Sequence, residues 1–370
     1  MTGKPPGGAL DGVVAGVTAI TSIESGVLRY RGYRIEDLAA NATFEEVAYL
    51  LWNGDLPSDS DLRSLRPELT AACPTPEQVD GILAATAKQA PMEVLRSAAS
   101  LLSAPAIEQD LETSDREAAR ILAVGLPVVV ASAHRRGMST RARDPQSGIA
   151  ENFLWMLRGA RPSPVEARAI EAALIVHADH ELNASTFAAR VTAATLSDMY
   201  SAVTSALGAL KGPLHGAAAE GVLVMLREIG KPGVAERWLD TMADAGKPVP
   251  GFGHAVYRQG DPRAAILKEM CHALVAEQGD DDGVLATAAR VEQLMLARSG
   301  LRANVDFYSA PCYHLLGIPR EIFAPVFAIG RVVGWAAHVM EQHVNNRLIR
   351  PRAHYIGPPP REWRPLEQRL

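Results

Sequence analysis

A histidine stands in a glycine-rich turn, Gly251-Phe252-Gly253-His254-Ala255-Val256-Tyr257-Arg258, and Asp261-Pro262-Arg263 follows closely. Glycine lets backbone approach a ligand that a Cβ would exclude, and histidine moves protons near neutral pH. Arginine offers forked, permanently charged donors suited to carboxylates or phosphates. Together they describe a site for an anionic substrate with an oxygen to be polarised or protonated, although an ordinary exposed loop would carry the same letters. A second histidine lies in Gly212-Pro213-Leu214-His215-Gly216-Ala217, just before a helical run. The positive end of a helix dipole disfavours imidazolium, so His215 is expected to be a neutral donor to a developing oxyanion. The plainer reading is a histidine capping a helix start. Asp306, in Asn304-Val305-Asp306-Phe307-Tyr308-Ser309, has apolar and aromatic neighbours. Poor solvation lifts a carboxyl from ~3.9 toward a useful base, whereas a turn-capping aspartate would need no such role.

In His177-Ala178-Asp179-His180-Glu181 the two histidines are three apart and are expected to share a helix face. That spacing admits a metal pair or a His-Asp hydrolase site. A metal needs more ligands at matching spacing, and Asn183-Ala184-Ser185-Thr186 does not supply them, so no metal is expected. The favoured reading gives one histidine to substrate and the other to structure. Arg331, in Gly330-Arg331-Val332, and Arg350, in Ile349-Arg350-Pro351, sit among apolar residues and need anionic partners. Ion pairing or a substrate carboxylate would serve equally.

The elements that carry these residues read as mainly α. Thr43-Phe44-Glu45-Glu46 is a capping box whose helix stops near Gly54, and Thr75-Pro76-Glu77-Gln78 and Ser163-Pro164-Val165-Glu166 repeat the grammar. Ser114 and Glu117 open another helix. Helical patterns recur at 164–180, 184–209, 216–229, 234–245, 262–277, 283–299 and 321–345. Strand-like alternation is confined to Val13–Ile23 and Val27–Tyr30. Hinges are expected at Lys211-Gly212-Pro213, at Pro248 to Gly253 and at Leu316-Gly317-Ile318-Pro319. They divide the chain into a large domain, 1–216 with 318–370, and a smaller mobile one, 217–317.

At 370 residues, 48% hydrophobic and 21% charged, the chain has a soluble globular composition. A net charge of −5 and the lack of a basic block with interleaved aromatics argue against nucleic acid. Cys73, Cys271 and Cys312 are odd in number and far apart, which predicts neither a disulfide framework nor a zinc site. The opening MTGKPPGGALDG has no apolar signal core. The longest apolar run, Ile121 to Ala133, is too short to span a bilayer. A cytoplasmic protein without membrane or nucleic-acid partners is the expectation.

In order along the chain, HADHELNAS, GPLHGAA, PGFGHAVYRxxDPRA, NVDFYS and GRVVGWAAH…IRPR resemble the citrate synthase family. The opening GVVAGVTAI…LRYRGYRIEDLA…FEEVAYLL resembles it too, so the likeness runs from about Gly12 to Gly357. The resemblance implies a two-domain helical fold whose small domain closes over substrate, and an obligate homodimer. It implies condensation of acetyl-CoA with oxaloacetate and then thioester hydrolysis, with no metal and no permanently bound cofactor. His215, His254 and Asp306 carry over as catalytic residues. His180, Asn183, Arg263, Arg331 and Arg350 carry over as oxaloacetate ligands, Arg350 into the neighbouring subunit's site. Pro248, Val249, Pro250, Gly251 and Phe252 match the coenzyme A segment, with Lys247 and Arg258 as phosphate contacts. Ala303 stands where many members have proline, and Pro311-Cys312 is unusual, which leaves the acyl pocket and coenzyme contacts open. A 2-methylcitrate synthase using propionyl-CoA shares every catalytic residue. A catalytically silent scaffold member would not need His215, His254, Asp306 and the arginines intact. A metal-dependent hydrolase would rest on His177, Asp179 and His180.

Overall fold

The computed structural model describes residues 13–102, 110–136, 138, 141–216, 218–254, 256–280 and 282–369. The outer ends of the expected domains, 1–12 and Leu370, and the boundary residue Ala217 lie outside them, as does Ala255 of the histidine turn. Among the described residues there are sixteen α-helices and one three-stranded antiparallel sheet. Its strands are Thr21–Glu24, Val27–Tyr30 and Tyr33–Arg34. Thr21 pairs with Tyr30, and the two-residue turn Ser25-Gly26 takes left-handed φ of 51° and 82°, the geometry that suits a tight hairpin. The alternation expected from Val13 does not make strand before Thr21, and Val13, Val14 and Val17 are exposed. A strand needs a partner, and the hairpin supplies one only from Thr21 onward.

The capping boxes form as read. Thr43, Thr75 and Ser163 each accept from the backbone three residues on and head helices Phe44–Asn53, Pro76–Ala85 and Pro164–His177. Three expectations change. The helix assigned to Ser114 begins at Leu111, because Asp110 accepts from the Thr113 N–H at 3.0 Å. The run 184–209 is two helices, Ala184–Ala193 and Met199–Leu210, broken where Leu196 takes φ 62° and Asp198 caps the second. Asp306 lies in the first turn of a helix, Val305–Leu315, that an internal Pro311 hides from the periodicity.

The core centres on Phe323–Val344, which packs against Leu111–His134, Pro164–His177, Ala184–Ala193, Met199–Leu210 and Phe44–Asn53. Two glycines set its approach. A Cβ on Gly330 would stand 2.8 Å from the Leu174 carbonyl oxygen, and one on Gly334 only 2.0 Å from that of Ala178. Backbone contact this close draws Arg331, between them in sequence, to the C-terminal end of Pro164–His177. By length and composition two segments, Leu111–His134 and Arg320–Val344, could cross a membrane, so the longest apolar element is not the run at Ile121. Their most apolar windows are 67% and 94% buried inside the protein, which is how core helices behave.

Helices Ala218–Ile229, Ala235–Asp244, Pro262–Gln278, Val284–Ser299 and Val305–Leu315 form a second packed group. Within it Cys271 and Cys312 are both buried free thiols, and Cys271 Sγ lies 3.8 Å from the Tyr308 carbonyl. Pro262–Gln278 also packs on Pro164–His177, so the two groups of helices meet beside the HADHE segment. After Val344 the chain runs out as a tail with Tyr355, Ile356 and Trp363 about three-quarters exposed.

Candidate active site

The glycine turn and the NVD segment are zipped together by backbone. Phe252 bridges Ala303, the Gly253 N–H donates to the Arg302 carbonyl at 3.1 Å, and the Asn304 N–H donates to that of Gly251 at 2.9 Å. The Asn304 side chain adds a bond to the Gly253 carbonyl at 3.0 Å. Gly251 must be glycine, with φ 82° and a Cβ position only 2.9 Å from side-chain atoms of Phe307 and Val222. This pairing sets the segments that carry His254 and Asp306 side by side. The carboxyl of Asp306 is half-buried, and burial raises it from 3.8 to about 6 against the pull of Arg263. His254 Nδ1 accepts from the N–H groups of Val256 at 3.0 Å and Tyr257 at 3.3 Å, so the neutral ring carries its proton on Nε2. Burial, then Arg263, holds its pKa below the ordinary value.

His215 Nε2 lies 2.9 Å from Ser185 Oγ, which also receives the Trp335 indole N–H at 3.2 Å. Its pKa falls to about 4, through burial first and the charge of Arg331 second. The ring is neutral as expected; it lies in a turn before a helix that starts at Ala218, and burial is the leading cause. His177 and His180 do not share a helix face, because the helix ends at His177 and Glu181 turns at φ 56°. His177 Nε2 faces Ser309 Oγ at 3.2 Å, whereas His180 Nε2 faces Tyr257 OH at 3.1 Å. Asp179 points elsewhere again. Its buried carboxylate lies 3.3 Å from His338 Nε2, whose Nδ1 takes an Arg190 N–H at 2.9 Å, and its backbone is held by Tyr30 OH. The hydrolase constellation of His177, Asp179 and His180 is therefore dispersed to three separate partners.

Arg263 is clamped by Asp261, which accepts from Nε at 2.9 Å and Nη2 at 2.8 Å, with both side chains buried. The other edge of the guanidinium stays available, and burial does not neutralise it because Asp261 holds its proton. Arg331 differs. It is 1% exposed, gives Nε–H to the His177 carbonyl at 2.5 Å and lies over the Phe327 ring at 4.7 Å. Among the described residues no carboxylate forms an ion pair with it, and burial lowers its pKa to about 10. Asn183 caps Ala184–Ala193, with Oδ1 accepting from the N–H groups of Ser185 and Thr186 and Nδ2 reaching Thr186 Oγ1 at 3.0 Å. Its polar atoms are thus already engaged. Lys247, Pro248 and Arg258 are exposed, while Val249, Pro250 and Phe252 are half-buried. Arg350 is exposed on the tail, where it makes no hydrogen bond or ion pair to described residues. Sequence reading assigned no role to Tyr257, Asp261 or Ser185. Asp261 had a signal, being an N-cap aspartate before Pro262. The other two partners become visible only in three dimensions.

The sequence matches the citrate synthase, C-terminal domain family over residues 9–352. The chain belongs to the citrate synthase family. It is 46% identical to citrate synthase 2 of Bacillus subtilis, over 97% of this chain and 98% of that one. It is 40% identical to the 2-methylcitrate synthase of Shewanella oneidensis, over 99% of each. A citrate synthase from Thermoplasma acidophilum, solved as a ternary complex with carboxymethyl coenzyme A and oxaloacetate, superposes with a TM-score of 0.89 at 33% identity, covering 97% of this chain and 98% of that one. The mainly helical citrate synthase fold and an enzyme of the citrate synthase type follow, and a silent scaffold finds no support in relatives that match from end to end. In this chain two buried guanidinium groups act electrostatically on neutral histidines and on one carboxyl raised to about 6.

Proposed function

We propose that the chain condenses acetyl-CoA with oxaloacetate and water to give citrate and coenzyme A. Arg331 carries this reading: a buried guanidinium with no carboxylate ion pair among the described residues is costly, and it feels the charge of Arg263, whose free edge offers a second forked contact. Two cations so placed suit a dicarboxylate, and His180 adds a third polar contact. Held there, oxaloacetate presents its ketone in one orientation. Asp306 takes a proton from the thioester methyl, and neutral His215 donates to the enolate oxygen as charge develops. The enol carbon attacks the ketone, whose oxygen is polarised and protonated from Nε2 of His254. Water then cleaves the citryl thioester. The turn from Pro248 to Phe252 would hold coenzyme A, with Lys247 and Arg258 meeting phosphates; Asn183 would act through its cap rather than by direct contact.

A second acyl substrate is also supported, since relatives called citrate synthase and 2-methylcitrate synthase match over nearly equal spans. One methylene discriminates by only ~1–3 kcal/mol. Residues 217–317 would be a small domain that closes when oxaloacetate bridges Arg331 and Arg263. A homodimer in the cytoplasm, with Arg350 completing its partner's site, fits an exposed arginine on a tail that also exposes Tyr355, Ile356 and Trp363. Free-thiol release in steady state, with oxaloacetate and either acetyl-CoA or propionyl-CoA, tests the reaction. Activity is expected with acetyl-CoA; no oxaloacetate-dependent release from either thioester would overturn the assignment.

A further inference from the structure

Tyr257 stands where the two groups of helices meet, and it is 5% exposed. Its hydroxyl lies 3.1 Å from His180 Nε2. Its ring is 4.7 Å from that of His254, and the Arg263 guanidinium carbon lies 5.6 Å from its centroid. Its backbone N–H donates to His254 Nδ1 at 3.3 Å. One residue therefore contacts His180, His254 and Arg263 together. Burial holds His180 neutral, so one ring nitrogen carries a proton and the other a lone pair. The Tyr257 phenol, kept protonated by burial, has an O–H to give to Nε2, and that arrangement puts the ring proton on Nδ1.

We propose that Tyr257 is a positioning residue for substrate binding: its hydroxyl donates to His180 Nε2, pinning the ring and keeping the proton on Nδ1. The Nδ1–H is then the donor left for a substrate carboxylate. Without the hydroxyl, His180 is free to rotate and to exchange tautomers, and part of its population offers no N–H to the cleft. The backbone N–H of Tyr257 sets the His254 tautomer independently, so loss of the hydroxyl alone leaves the proton donor intact. The assignment rests on oxaloacetate being the ligand, as proposed above.

Tyr257→Phe keeps ring and backbone and removes only the donor. Calorimetric titration with oxaloacetate should show affinity weakened by about 2- to 12-fold, the span of one neutral hydrogen bond. KM for oxaloacetate should rise similarly, with kcat within about twofold. A double-mutant cycle with His180→Ala isolates the mechanism. If the hydroxyl works through His180, Tyr257→Phe should have no further effect on affinity in the His180→Ala background. Equal losses in both backgrounds, or an unchanged affinity with a merely lower melting temperature, would overturn the role of Tyr257. Wild-type protein that fails to bind oxaloacetate would instead overturn the ligand assignment and this inference with it.

Discussion

Asp306→Asn should stabilise the protein while removing its turnover. Burial lifts the carboxyl of Asp306 from 3.8 to about 6, and the opposing charges of Arg263 and Arg331 do not cancel it. A carboxyl with a raised native pKa holds its proton more tightly when folded than when unfolded. As pH climbs from about 4 to about 6 the unfolded chain releases that proton first, so native stability falls, and above this window the penalty is constant. A shift from 3.8 to about 6 corresponds to at most about 3 kcal/mol at neutral pH. Partial contact of the half-buried carboxylate with water reduces this to about 1–2 kcal/mol. Asparagine keeps the shape without the charge and escapes the penalty. The variant should therefore melt higher than wild type at pH above about 7, with the gain vanishing near pH 3 where both side chains are neutral. Its kcat should fall by about 10²–10⁴-fold, the usual effect of removing a general base. In wild type, kcat/KM should drop on the acid side, to about a tenth at pH 5, since the base must be ionised. His215 stays neutral down to about 4, so it does not produce that limb. Denaturation of both proteins across pH, with turnover followed by loss of thioester absorbance, provides the measurements. An Asn variant no more stable than wild type at neutral pH, or full wild-type kcat/KM at pH 5, would refute the reasoning.

Arg331→Leu should raise KM for oxaloacetate by at least about tenfold, since a charge-assisted contact is worth ~1.5–3 kcal/mol; an unchanged KM would move the carboxylate site elsewhere. Gly334→Ala should destabilise the protein by about 1–3 kcal/mol or more, because its Cβ would meet the Ala178 carbonyl at 2.0 Å and Asp179 Oδ1 at 2.8 Å; a wild-type denaturation midpoint would show that the two segments part easily. Mixing Arg350→Ala with Asp306→Asn under subunit exchange should restore activity, up to about half of wild type per heterodimer by counting intact sites; no recovery despite verified exchange would confine Arg350 to its own subunit.

What local chemistry dictates was legible before any coordinates. Capping boxes at Thr43, Thr75 and Ser163, prolines at first helical positions and glycine stops act within a turn of chain, so their letters suffice. The same holds for the residue types able to hold an anion or move a proton, and five ordered motifs identified the family. Elements were misjudged where a tertiary or local exception overrode periodicity, as at the Leu196 break and at Pro311 inside Val305–Leu315.

Partnership was decided only by tertiary structure. His177, Asp179 and His180 are neighbours in sequence, yet they face Ser309, His338 and Tyr257. His254 and Asp306 are distant in sequence, yet a backbone zipper joins their segments. Burial, too, belongs to the assembled fold. It holds His215 neutral, lowers the pKa of Arg331 and lifts that of Asp306 toward neutrality. A side chain's desolvation is set by what the rest of the chain packs around it. Residue identity therefore names the candidate groups, while their charge states and mutual distances emerge only when Gly330 and Gly334 bring the helices into contact.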